Sequence, residues 1–100
     1  MAKGYISEHI NAMSPIGTYA APVLPQPGVT DQIVSFTGTH GESSAFQANT
    51  YAIEICADAD CCFVIGSAPV ADNTKNMFLG AKTSRIYAVR PGDKISFVTP

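Results

Sequence analysis

The run "ICADADCC" places Cys56, Cys61 and Cys62 around two carboxylates, Asp58 and Asp60. Thiolates and carboxylates this close are the donor types of a metal centre, and a thiol beside a base is a nucleophile. Zinc asks for four tetrahedral ligands, and only Cys56, Cys61, Cys62 and His40 are on offer. Adjacent Cys61 and Cys62 point to opposite faces of a strand, so one cannot ligate what the other does. Calcium needs about six to eight oxygens, more than Asp58 and Asp60 supply. Nothing in the spacing puts His9 or His40 beside a thiol. If Asp58–Asp60 forms a hairpin turn, Ala57 pairs with Cys61 and Cys56 lies opposite Cys62. Cross-strand neighbours sit about 4.5–5.5 Å apart, within reach of a disulfide in principle. Small, inert cysteines in a β core, flanking an Asp-rich turn, are the better account.

A second group, His40, Glu42, Ser43 and Ser44 in "THGESSAF", holds the residue types of a hydrolase. It lacks a G-x-S-x-G elbow, and its spacing implies no triad. It reads as a polar loop. "RPGDK" is ordinary turn chemistry around Pro91 and Gly92. No glycine-rich nucleotide loop occurs. The expectation is therefore a protein with no catalytic residue, no cofactor and no metal, and not an enzyme.

The elements that carry these residues are strands. Tyr51, Ile53, Ile55 and Ala57 alternate with Ala52, Glu54 and Cys56. Cys61, Phe63 and Ile65 alternate with Cys62 and Val64, and Ile95 and Phe97 with Ser96 and Val98. This is the period of half-buried strands. "QIVSFTG", "MFLG" and "SRIYAVR" supply the rest, with Gly, Pro, Asn and Asp in the gaps. Residues 32–100 are expected to form an all-β antiparallel sandwich or small barrel.

Residues 1–31 differ. Pro15, Pro22, Pro25 and Pro27 forbid a helix through "AAPVLPQPGVT", which reads as an extended arm. "YISEHINAM" has Ile6, Ile10 and Met13 on one helical face, enough for one or two turns. The whole segment could be a disordered tail. Its content of Tyr5, Ile6, Ile10, Ile16, Tyr19, Val23 and Leu24 favours an arm that orders against a neighbouring subunit. Those seven residues are the candidate partner-binding set.

Composition narrows the partners. Charged residues make up 14% of the chain, against 46% hydrophobic. That is far below the roughly 25% charged of a soluble domain, and charge-poor surface is a feature of interface cores. A net charge of −2 with six Lys and Arg gives no basic stripe for nucleic acid. No apolar run approaches the about 20 residues of a membrane span. The first residues have no h-region, so cytoplasmic synthesis with reduced thiols is expected.

Residues 50–98 resemble small β proteins encoded among the virion structural genes of tailed bacteriophages. The likeness runs through the alternating strand, the "ADADC" turn of Ala57 to Cys61, and Ile65-Gly66. It continues through Pro69 to Ala71, Met77 to Leu79 and Val89 to Ile95. Ala81-Lys82 is a departure confined to one loop. The resemblance implies a jelly-roll-like sandwich and a head decoration (cement) protein, made in the host bacterial cytoplasm and placed on the capsid exterior. Its implied partners are the major capsid protein and further copies of itself, as a homodimer or homotrimer. Other roles in the same setting are a head–tail connector or tail-completion component, or a virion-surface module that binds a receptor or carbohydrate.

Overall fold

The computed structural model describes residues 2–10 and 30–100. These residues hold eight strands and no helix: β1 (Ala2–His9), β2 (Thr30–Phe36), β3 (Gly41–Glu42), β4 (Ala52–Ala57), β5 (Cys61–Gly66), β6 (Met77–Leu79), β7 (Ser84–Ala88) and β8 (Lys94–Val98). They form two four-stranded antiparallel sheets. The first has the order β2-β1-β4-β7 and the second β3-β8-β5-β6. Only β1–β2 and β5–β6 join neighbours in one sheet, and every other connection crosses to the opposite sheet.

The all-β expectation stands, but its N-terminal part needs correcting. Residues 2–9 are not an arm and not a helical turn; they are an inner strand, paired to β2 on one side and β4 on the other. The boundary at 31/32 likewise divides nothing, because Thr30 and Asp31 pair with Glu8 and Ser7. The reason lies in alternation. Gly4, Ile6 and Glu8 face inward while Lys3, Tyr5 and Ser7 face out. Met13 and the proline-rich residues 15–27 lie outside the described residues.

Between the sheets, Ile6, Val34, Phe36, Ile53, Ile55 and Ala57 meet Cys61, Phe63, Leu79, Ile95 and Phe97. Phe36 stacks on Phe97 at 5.6 Å between centroids, and Phe63 tilts against Tyr87 at 5.4 Å. Gly4 is part of this packing. A Cβ there would stand 2.6 Å from Phe97 Cε2, on a ring already buried and stacked. Gly4→Ala is therefore expected to cost about 1–3 kcal/mol through overpacking, measured as a lower urea midpoint.

A buried carboxylate ties one end of the first sheet together. Glu8 is fully buried. Its Oε1 accepts from Thr50 Oγ1 at 2.8 Å and from the Gln47 amide at 2.9 Å, and its Oε2 accepts from Gln32 Nε2 at 2.8 Å. The Gln32 amide in turn brackets the Ser44 backbone, accepting its N–H at 2.9 Å and donating to its carbonyl at 3.3 Å. One inward side chain thus anchors the β3–β4 connection.

The "ADADC" segment is a second correction. β4 and β5 belong to different sheets, so Asp58–Asp60 crosses the sandwich and does not close a hairpin. Its acids hold backbone. Asp58 accepts from the Lys3 amide at 2.8 Å and Asp60 from the Ala81 amide at 2.8 Å. Ala57 and Cys61 both enter the core, whereas Cys56 and Cys62 face outward from opposite sheets. No Cys56–Cys62 pair exists, and all three thiols are free. Pro91-Gly92 does turn as its residues dictate. The Asp93 amide bonds the Arg90 carbonyl at 3.1 Å with Gly92 at φ 87°, a geometry that favours glycine.

Residues 67–76, which link β5 to β6, lie over the outer face of the second sheet. Ala71 packs on Cys62, Val64 and Val98, and its amide donates to Ser96 Oγ at 3.0 Å. Beyond it Asp72 Oδ1 accepts from Thr74 Oγ1 at 2.6 Å and from the Thr74 amide at 2.8 Å. These bonds, the hydroxyl first, hold the Asp72 carboxyl below its ordinary 3.8. A depressed value means that the turn has its full support above about pH 4 and loses it as pH falls through the lower, folded value. The protection factor of the Thr74 amide, corrected for the intrinsic exchange rate at each pH, should fall there before those of the core amides.

Candidate functional site

The candidate residues do not converge. Ile6 is 1% exposed and belongs to the core, so it is withdrawn from the partner-binding set. Tyr5 faces out at 41% exposure, and Ile10 follows β1 at 54%. Ile16, Tyr19, Val23 and Leu24 lie outside the described residues. In "THGESS", Glu42 pairs with Lys94 at 3.1 Å. Ser43 Oγ accepts the Ile95 amide at 3.0 Å, and the Ser44 amide is held by Gln32. They fix β3 and its exit. Among the described residues no group of three His, Cys, Asp or Glu side chains is placed to hold a metal ion.

The thiols also separate by chemistry. Burial pushes the Cys61 thiol up to about 12, with negative charge at Cys62, Asp60 and Cys56 adding to the effect. The thiolate is the reactive form, so Cys61 is inert when folded. Cys56 is half-buried on the first sheet's outer face and Cys62 lies beneath residue 71. At about pH 8, an aromatic disulfide reagent should modify Cys56 in the native protein. Cys61 and Cys62 should react only as it unfolds.

What the fold does assemble is the outer face of the first sheet. Two rows of side chains cross it in register. Asp31, Ser7, Glu54 and Ile86 form one row, and Ile33, Tyr5, Cys56 and Ser84 the next. Between them is an open concavity of about 350 Å³. At its edge Ser7 Oγ and His9 Nε2 share a hydrogen bond of 3.0 Å, the spacing of a nucleophile and its base. Acyl transfer also needs donors for a developing oxyanion. Here the neighbouring strand residues are paired in the ladders of β2 and β4, and His9 is only 2% exposed. The pair is a polar brace on the sheet.

Sequence reading found Tyr5 and missed the face. The usable signal was the alternation of Lys3, Tyr5, Ser7 and His9 against Gly4, Ile6 and Glu8. Asp31 and Glu54 join only through pairing.

The class defined by these features is an antiparallel β-sandwich that presents an open, acid-flanked sheet face. No protein-family model, curated protein or solved structure matches the chain.

Proposed function

We propose that this chain is a bacteriophage capsid decoration (cement) protein that binds the outside of the major capsid protein shell. It stabilises the shell against internal DNA pressure by adding contact across joints between shell subunits. The carrying observation is the display of large apolar side chains on a charge-poor surface. Ile33 is 63% exposed and Tyr5 41% on the first sheet, while Val70, Met77 and Phe78 are 64%, 60% and 49% exposed in and before β6. Isolated apolar side chains are normal on a surface, whereas several on each side of a small domain favour partners. The resemblance over residues 50–98 gives the setting, and the protein acts there as structure and not as a catalyst. Self-association into a dimer or trimer about a capsid symmetry axis fits the preference for closed assemblies.

The sandwich is best read as a jelly roll, a two-stranded ribbon wrapped so that successive pairs alternate between sheets. The pairs β5·β6, β4·β7, β3·β8 and β2·β1 alternate in this way. β1 takes the place that a strand following β8 would occupy. A second reading, a virion-surface module binding carbohydrate, is favoured by the concavity beside Tyr5 alone.

The test is to add purified protein to isolated shells that lack it. Saturation in a simple ratio to shell subunits, with shells that rupture at higher temperature, is the expected result. Shells that take up no protein and gain no heat resistance would overturn the reading.

A further inference from the structure

We infer that the outer face of the first sheet is a docking site for an arginine-bearing extended segment of a partner protein. The argument starts from charge. Asp31 and Glu54 lie either side of Ser7, paired to it through β2 and β4 respectively. With strands about 4.8 Å apart, their backbones are separated by about 10 Å. Among the described residues neither carboxylate has a cation partner, and the one ion pair is Lys94–Glu42. The chain has little to offer them, because residues 11–29 contain no Lys or Arg. Lys3, on the same face, lies two positions before Tyr5 on β1 and makes no ion pair among the described residues.

Tyr5 adds the second component. It sits diagonal to both acids, with Ile33 directly opposite on β2, and the two are 41% and 63% exposed, so none of the described residues covers them. An aromatic ring flanked by carboxylates matches one side chain best. A guanidinium stacks on the ring, gaining about 0.5–1 kcal/mol at an exposed site, and forks its N–H donors to carboxylate oxygens. A neutral ligand would strip water from two anions without replacing their counter-charge. The concavity of about 350 Å³ is at the lower end of ordinary ligand clefts. That suits one long side chain with its flanking backbone. The inference does not rest on the virion reading, since any partner bringing arginine to this face satisfies it.

The probe is a capped Gly-Arg repeat peptide titrated into the full-length protein at low ionic strength, followed by amide chemical shifts. A capped Gly-Glu repeat and a neutral methyl glycoside serve as controls. Saturable shifts at Tyr5, Ser7, Ile33 and Glu54 are expected with the Gly-Arg peptide alone. They should vanish at about 1 M salt, where the Debye length is about 3 Å. The double variant D31N/E54Q changes one exposed and one half-buried outward side chain; with an unchanged urea midpoint as its folding check, it should bind about five- to tenfold more weakly. Three results would each overturn the inference: no saturable shift, equal binding by the double variant, or shifts at this face produced by the glycoside in place of the peptide.

Discussion

A chain starting at residue 30 is expected not to fold. β1 lies between β2 and β4, and its loss leaves both with unpaired N–H and C=O groups across a gap of about 10 Å. Ile6 leaves the core at the same time, a change worth about 2–5 kcal/mol by itself when such a side chain is cut to alanine. The lost ladders add to this, and the sum reaches the about 5–15 kcal/mol that holds a domain together. The sequence-based expectation was the reverse, that residues 32–100 form the sandwich and residues 1–31 are an arm or tail outside it. Residues 30–100 should give a collapsed amide spectrum, and a synthetic peptide of residues 1–10 should restore dispersion by strand addition. A dispersed, native-like spectrum without the peptide would contradict the placement of β1.

The second large effect is at Glu8. Replacing it by alanine leaves the Thr50 hydroxyl, the Gln47 amide and Gln32 Nε2 without their common acceptor. Hydrogen bonds to charged groups contribute about 1.5–3 kcal/mol each, and stranded buried donors add their desolvation cost. Because the three share one side chain, their effects do not add fully. About 3–5 kcal/mol is expected, seen in the urea midpoint with an unchanged slope. Glu8→Gln should cost less, about 1–2 kcal/mol. Its carbonyl keeps two donors, while its amide meets the donor of Gln32. Gln32 cannot turn over without losing Ser44. If alanine and glutamine cost the same, the converging donors would not be the reason for a carboxylate at this position.

Gly4 and Glu8 explain what the sequence concealed. β4, β5 and β8 were legible because Ile53, Ile55 and Ala57, then Cys61, Phe63 and Ile65, then Ile95 and Phe97 mark the inward face at period two. In β1 the inward positions are Ala2, Gly4, Ile6 and Glu8, so Ile6 is the one large apolar side chain among them and the period fades. Gly4 is inward because the Phe97 ring occupies the space a side chain would need. Glu8 is inward because Gln32, Gln47 and Thr50, all distant in sequence, turn donors toward it. Those reasons are tertiary. The "ADADC" run shows a different limit. A three-residue gap between two alternating strands is compatible with a hairpin and with a crossing, and alternation does not say which sheet receives the next strand. The acid-flanked face needed register as well. Asp31, Ser7 and Glu54 become one row only when β2, β1 and β4 are aligned.

The proposed decoration role is tested most directly by locating the genome that carries this coding sequence and measuring, by quantitative mass spectrometry, the protein content of the particles it produces. A copy number in the hundreds, in simple ratio to the major capsid protein, is the predicted result. A dozen copies or fewer would place the protein at a vertex or on the tail. Its absence from the particle would contradict the decoration reading entirely.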